Sequence, residues 1–241
     1  MTVPLDGIDL VIFDKDGTII EFGSMWSGWA VTLAETLRAV TALPIEAPLF
    51  AMLGYDAATG TVLPGGGLAA TPMARLRERT HDVLVAEGLD EAGAERALDA
   101  AWHAPDPVAL ARPIGDLPGL FGWLHDGGRR VAVATTDDRD PTERTLASLG
   151  LTGLIDATVC ADDGVPAKPA PDMVLRLCAT LGVAPARTAV VGDSPPDMRM
   201  ARDSGARLTI GVLTGVGGRG DLEPLADMVI PSVEQLRDRE V

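Results

Sequence analysis

Six short apolar runs rich in β-branched residues recur along this chain, at 8–13, 130–134, 157–160, 188–191, 207–210 and 228–230. Each is too short for a stable helix, and the first is bounded by Gly7 and Asp14. Near-continuous apolar runs of this length read as strands buried on both faces, the form that parallel sheets take. Segments of helical period separate the later runs, at 141–149, 171–181 and 195–204. Pro171 and Pro195 stand where a first-turn proline is tolerated, and Gly182 and Gly205 follow as helix stops. Alternation of strand and helix predicts an α/β fold, a doubly wound parallel sheet.

Residues 21–110 break that rhythm. They read as helices over 26–43, 47–53, 71–87 and 91–102, with a loop at 60–67 that holds four glycines and a proline. The expectation is therefore an α/β core formed by 1–20 and 111–241, interrupted after its first strand by an α-helical domain of 21–110. No internal repeat stands out.

Polar clusters follow four of the predicted strands, at the ends where open α/β sheets hold their ligands. They are Asp14-Lys15-Asp16-Gly17-Thr18, Thr135-Thr136-Asp137, Lys168-Pro169, and Gly192-Asp193-Ser194-Pro195-Pro196-Asp197. One aspartate at a strand end is commonly a helix cap. Four such clusters in series, each after a strand, point to a site.

Charge limits what that site binds. With 20 basic and 35 acidic residues, 20 − 35 = −15, the chain is a poor match for a nucleic-acid backbone or an anionic membrane surface. No apolar run reaches the roughly 18 residues of a spanning helix, and no secretory signal pattern is evident. Cys160 and Cys178 lack metal-type spacing and read as buried thiols. A cytoplasmic protein acting on a small molecule is the expectation, with its oligomeric state open.

In this order and placement, the four clusters resemble the motifs of the haloacid dehalogenase superfamily, and their wording is most similar to its phosphoglycolate-phosphatase-like branch. The likeness covers the α/β portion, and the insert lies where members with a helical cap carry theirs. The resemblance implies a Rossmann-like core, Mg²⁺ as cofactor, and a small phosphorylated metabolite as substrate. It implies hydrolysis of phosphate monoesters, phosphoglycolate-like or sugar phosphates, through an aspartyl-phosphate. Asp14 would be the nucleophile, Asp16 the general acid and base, and Lys168 the cation beside the phosphoryl group. Thr135 and Thr136 would bind substrate together with Lys168. The metal ligands expected are Asp14, Asp16, Asp193 and Asp197. Two positions depart from the branch: Lys15 stands where an apolar residue is usual, and Thr136 where Asn is often found.

The residue chemistry agrees with that reading. A phosphate monoester is doubly negative, so a carboxylate needs cations to approach it, and Mg²⁺ takes a few carboxylates while keeping sites for phosphate oxygens. An aspartate must hold a raised pKa to act as an acid, which a neighbouring negative charge favours. Lys15 is expected to point away from the metal, in a structural or surface role. His81, His103 and His125 lie away from the motifs. Trp26 and Trp29 read first as core packing and second as pocket lining. Arg38, Arg75 and Arg77 in the insert are candidates to meet a second anionic group, or are simply solvated.

Rival functions leave traces that can be checked. A Schiff-base phosphonate hydrolase needs a lysine in the cap, and none lies between Lys15 and Lys168. Dehalogenases lack the aspartate at position 16, and transport ATPases need membrane spans. A phosphomutase of the β-phosphoglucomutase type shares all four motifs and remains an enzymatic alternative. A phospho-accepting signalling module, or a catalytically silent binding protein, is the alternative outside enzymes. Gly215-Val216-Gly217-Gly218-Arg219-Gly220 matches the dinucleotide fingerprint. No acid follows it at a strand tip about 20 residues on, so a mobile Gly-rich loop beside the active edge of the sheet is expected instead.

Overall fold

The computed structural model describes residues 3–103 and 105–237. The outermost positions of the expected core, 1–2 and 238–241, and position 104 of the expected insert lie outside the described residues. Strand β1 (Leu10–Phe13) is followed by helices α1 (Phe22–Thr41) and α2 (Glu46–Leu53). A small hairpin, β2 (Tyr55–Asp56) and β3 (Thr61–Val62), leads to α3 (Gly67–Ala70), α4 (Met73–Ala86), α5 (Glu91–Ala101) and α6 (Pro107–Leu110). The alternating half then runs α7 (Leu117–Asp126), β4 (Arg130–Ala134), α8 (Arg139–Ser148), β5 (Ala157–Val159), α9 (Asp172–Leu181) and β6 (Thr188–Gly192). It closes with α10 (Pro195–Asp203), β7 (Leu208–Val212), α11 (Arg219–Leu222) and β8 (Met228–Ile230).

Six of these strands form one sheet in the order β5-β4-β1-β6-β7-β8, with every pairing parallel. Successive side chains of a strand face opposite layers, and the packing follows that period. Val11, Phe13, Val131, Val133, Ala189 and Val191 join the larger core, which also takes in Leu117, Leu120 and Phe121 of α7. Leu10, Ile12, Ala132, Ala134 and Val190 face the other layer, against Met173, Val174 and Leu177 of α9 and Met200 and Ala201 of α10. Burial on both faces is why these strands read as unbroken apolar runs. Helix α9 presents Met173, Val174, Leu177 and Cys178 as one buried stripe and stops at Gly182, whose φ of 67° suits a left-handed cap.

Helices α1, α2, α4 and α5 pack on one another between β1 and α7, as the interrupted rhythm of the sequence implied. The two chain passages that join them to the sheet run side by side. Glu21 N–H donates to Arg112 O, and Ile114 N–H to Ile19 O, each at 2.9 Å. The loop expected at 60–67 needs correction. Thr61–Val62 pairs with Tyr55–Asp56 as a hairpin, and Gly67 opens α3. Strands of two residues are too short to leave a period in the sequence.

Candidate active site

Register places the site. Phe13 is level with Val133 of β4 and Val191 of β6, so the residues that follow all three strands emerge at one edge. Strand β1 lies between the halves of the sheet, β4-β5 to one side and β6-β7-β8 to the other. Loops leaving such a switch point diverge and open a crevice. Asp14 emerges there, its N–H held by Val191 O at 2.9 Å.

Asp14, Asp193 and Asp197 are all buried and offer carboxylate oxygens within 4.8 Å of one another. Lys168 enters this cluster, bonding Asp14 Oδ1 and lying 2.7 Å from Asp197 Oδ1. That second approach is an ion pair outside hydrogen-bonding geometry, so the buried Asp197 Oδ1 accepts no hydrogen bond among the described residues. Thr18 Oγ1 donates to Asp14 Oδ2 at 3.3 Å. Burial raises the pKa of Asp14 against the opposing pull of Lys168. Burial likewise raises Asp193, with the charges of Asp14 and Asp197 adding to it. The Lys168 ammonium resists the effect of burial and is held above its ordinary range by Asp14 and Asp197.

This donor set fits Mg²⁺. The ligands are hard carboxylate oxygens, few in number, and buried closely enough that their mutual repulsion calls for a cation. Asp16, expected among the ligands, sends its carboxylate elsewhere: Lys15 Nζ lies 2.7 Å from Asp16 and 3.0 Å from Asp137. Lys15 is only 1% exposed, which removes its surface reading and leaves the structural one. Burial pushes Asp16 up to about 7, opposed by Lys15 and aided by Asp137.

Several contributors left little trace in the sequence. Ser194 stands at the N-cap of α10 and donates to Asp197 Oδ2 from its N–H at 3.1 Å and from its Oγ, in a capping-box arrangement. The spacing Ser-x-x-Asp was the available signal. The Gly-rich stretch is no nucleotide loop. It wraps Asp193: Val216 N–H donates to Asp193 Oδ2 at 2.7 Å, and Gly217 N–H to Asp193 O at 2.9 Å. Thr214 Oγ1 donates to Gly17 O at 2.6 Å, which ties the loop to the first motif. A Cβ on Gly215 would stand 1.9 Å from Asp193 Oδ2, so only glycine permits this approach.

A cleft opens above the cluster, and Thr135, Thr136 and Asp137 line it beside the four aspartates and Lys168. Its other wall comes from the inserted helices: Phe22, Trp26, Leu68, Ala69, Thr71 and Leu76. Trp26 is both core and lining, stacked edge-on to Trp29 at 6.1 Å, and Trp29 in turn meets Trp102 at 5.2 Å. His125 lies outside the cleft and pairs with Asp156 at 3.0 Å. The insert arginines also stand apart. Arg38 pairs with Glu46, Arg75 with Glu78, and Arg77 with Glu95 and Asp99.

The chain is also similar to known proteins. A family model described as haloacid dehalogenase-like hydrolase matches residues 8–205. The phosphoglycolate phosphatase of Rhodospirillum rubrum is 30% identical over 203 residues, covering 83% of this chain and 78% of that protein. The N-acetylmuramic acid 6-phosphate phosphatase of Pseudomonas aeruginosa is 26% identical over 200 residues, covering 82% and 78%. Among solved structures, a predicted phosphoglycolate phosphatase from Haemophilus somnus 129pt superposes with a TM-score of 0.69 at 19% identity, over 94% of this chain and 95% of that one.

Proposed function

The chain belongs to the haloacid dehalogenase-like hydrolases, and from that premise we propose that it is a cytoplasmic, Mg²⁺-dependent phosphatase of small phosphorylated metabolites. Phosphoglycolate-like esters and sugar phosphates are the two substrate classes that its relatives' activities suggest. In this reading residues 21–110 are a cap over a core of 1–20 and 111–241. The observation that carries it is the convergence of Asp14, Lys168, Asp193 and Asp197 at the floor of the cleft, with a separately held Asp16 on its lining.

Asp14, Asp193 and Asp197 would hold Mg²⁺, which when bound neutralises phosphoryl oxygens that would otherwise repel a carboxylate. Lys168 adds a second positive charge at the same place. Asp14 then attacks phosphorus, and the bond from phosphorus to the ester oxygen breaks. Asp16, which keeps a proton to about neutral pH, gives it to the departing alkoxide. In the second half Asp16 takes a proton from water, whose oxygen displaces Asp14 from phosphorus and releases inorganic phosphate. Thr135 accepts from Asp137 N–H at 3.1 Å, which keeps its own hydroxyl proton available to a phosphoryl oxygen. Thr136, also on the lining, is a second contact for substrate. Closure of the cap would exclude water from the first half of the cycle.

A phosphomutase would have to hold a second phosphate while the first is transferred, and the cap wall lined by Phe22, Trp26, Leu68 and Leu76 brings no cation to do so. Hydrolysis is the better fit. The test is phosphate release from a panel of monoesters with Mg²⁺, with EDTA, and with Asp14→Asn. Steady turnover that EDTA abolishes, Mg²⁺ restores and Asp14→Asn lacks is expected. A single stoichiometric phosphorylation would favour a signalling module, and wild-type turnover by Asp14→Asn would remove the nucleophile.

A further inference from the structure

The wall that faces the leaving group differs in chemistry from the floor that faces phosphorus. Phe22, Trp26, Leu68 and Leu76 are all buried, and with Ala69 and Thr71 they form the cap side of the cleft. Their one polar side chain apart from the Trp26 indole is the Thr71 hydroxyl. Among the described residues that line the cleft Lys168 is the single cation, and it is already committed to Asp14 and Asp197. Counting Lys15 behind it, and with Asp16 protonated as the acid, two ammonium groups face the four carboxylates of Asp14, Asp137, Asp193 and Asp197, a formal 2 − 4 = −2. A divalent cation and the phosphoryl dianion cancel each other, so the surplus stays negative.

A second anionic group on the substrate would enter this cleft without a partner. An unpaired charge taken out of water is strongly disfavoured, and like charge adds to the penalty. The cap arginines named above are held by acids away from the lining. Arg79 is exposed and reaches the Thr71 hydroxyl at 3.4 Å, but does not itself line the cleft.

We infer that the substrate is a phosphate monoester of an uncharged alcohol with an apolar face, such as a ring that packs on Trp26 and Phe22 while an oxygen meets Thr71. This rests on the phosphatase reading and narrows it: carboxylate-bearing esters such as phosphoglycolate are disfavoured even though relatives hydrolyse them. Aromatic rings commonly receive the apolar faces of ligands, which supplies binding without charge.

The experiment compares kcat/KM for 2-phosphoglycolate, its neutral isostere 2-phosphoglycolamide, and benzyl phosphate, all with Mg²⁺. The amide should exceed the acid by roughly tenfold or more, and benzyl phosphate should exceed both. Thr71→Arg places a guanidinium on the wall at an extended backbone position and should narrow the gap between acid and amide. Arg79→Ala should leave the gap in place. Equal or better turnover of the acid overturns the inference alone, and its loss in Arg79→Ala would identify Arg79 as the missing counter-charge. No turnover of any of the three esters overturns the phosphatase reading and this inference with it.

Discussion

Burying Lys15 between Asp16 and Asp137 takes three ionisable groups out of water together, which is favourable only while all three are present. Lys15→Met should therefore lower unfolding stability by about 3 kcal/mol, read as a shift in the urea midpoint at unchanged slope. An unshifted midpoint would show that the two carboxylates are solvated without it. Asp16 makes a claim of a different kind. Its pKa is pushed up to about 7 by burial, against Lys15 and with Asp137. A raised pKa keeps the proton on the acid below that pH and releases it above. For a slow-leaving alkyl phosphate, kcat/KM should fall as pH climbs through about 7. A rate that rises through the same interval would contradict Asp16 as the acid.

Elements succeed or fail by what holds their ends. Gly17 has a φ of 87°, and a Cβ there would stand 2.6 Å from Asp193 Oδ2. Gly17→Ala should cost about 1–2 kcal/mol from the backbone alone, and by displacing Asp193 it should raise the Mg²⁺ concentration needed for half-maximal rate. At the opposite end of the sheet Asp156 joins three elements. It accepts from Val131 N–H at 2.8 Å and Arg130 at 2.9 Å, and faces His125 at 3.0 Å. Burial raises its pKa, but these hydrogen bonds prevail and hold it below the ordinary value. A depressed folded-state pKa contributes stability above the unfolded value of about 3.9 and loses it as pH falls through the folded one. Asp156→Ala should thus destabilise by about 1 kcal/mol or more near neutrality, and the difference from wild type should shrink at pH 3 in urea titrations. A constant difference would show that Asp156 acts by packing alone.

The same elements show what a sequence carries. Parallel strands buried on both faces were legible, and 130–134 and 228–230 coincide with β4 and β8. The strand-end aspartates were legible too, because their spacing follows the sheet edge. Lys15 was not, since a lone lysine says nothing of the two acids that enclose it. Nor was the role of 214–217, where backbone N–H groups hold Asp193 and no side-chain pattern announces them. The hairpin at Tyr55–Val62 was hidden by its length.

Across the whole molecule, a net charge of −15 leaves an anionic substrate few fixed cations to meet. Of the 20 basic residues two are lysines, and both set their ammonium groups among the site's aspartates, Lys15 buried and the Lys168 side chain 6% exposed. Neither is placed where a second anion would bind. The cation that completes the cluster should stabilise the fold as well as the reaction. Mg²⁺ at about a hundredfold excess over its Kd should raise Tm by about 5–10 °C. Asp193→Asn should lose most of that rise, whereas an equal rise in the variant would place the ion elsewhere. The central claim is that Asp14 carries the phosphoryl group. It is tested most directly by quenching the enzyme during turnover of benzyl phosphate with Mg²⁺, reducing any acyl phosphate with borohydride, and locating it by peptide mass spectrometry. The expected result is conversion of Asp14 alone, absent when EDTA replaces Mg²⁺ and absent in Asp14→Asn. Phosphate release with no modification at Asp14, or with the modification on another residue, would contradict the account.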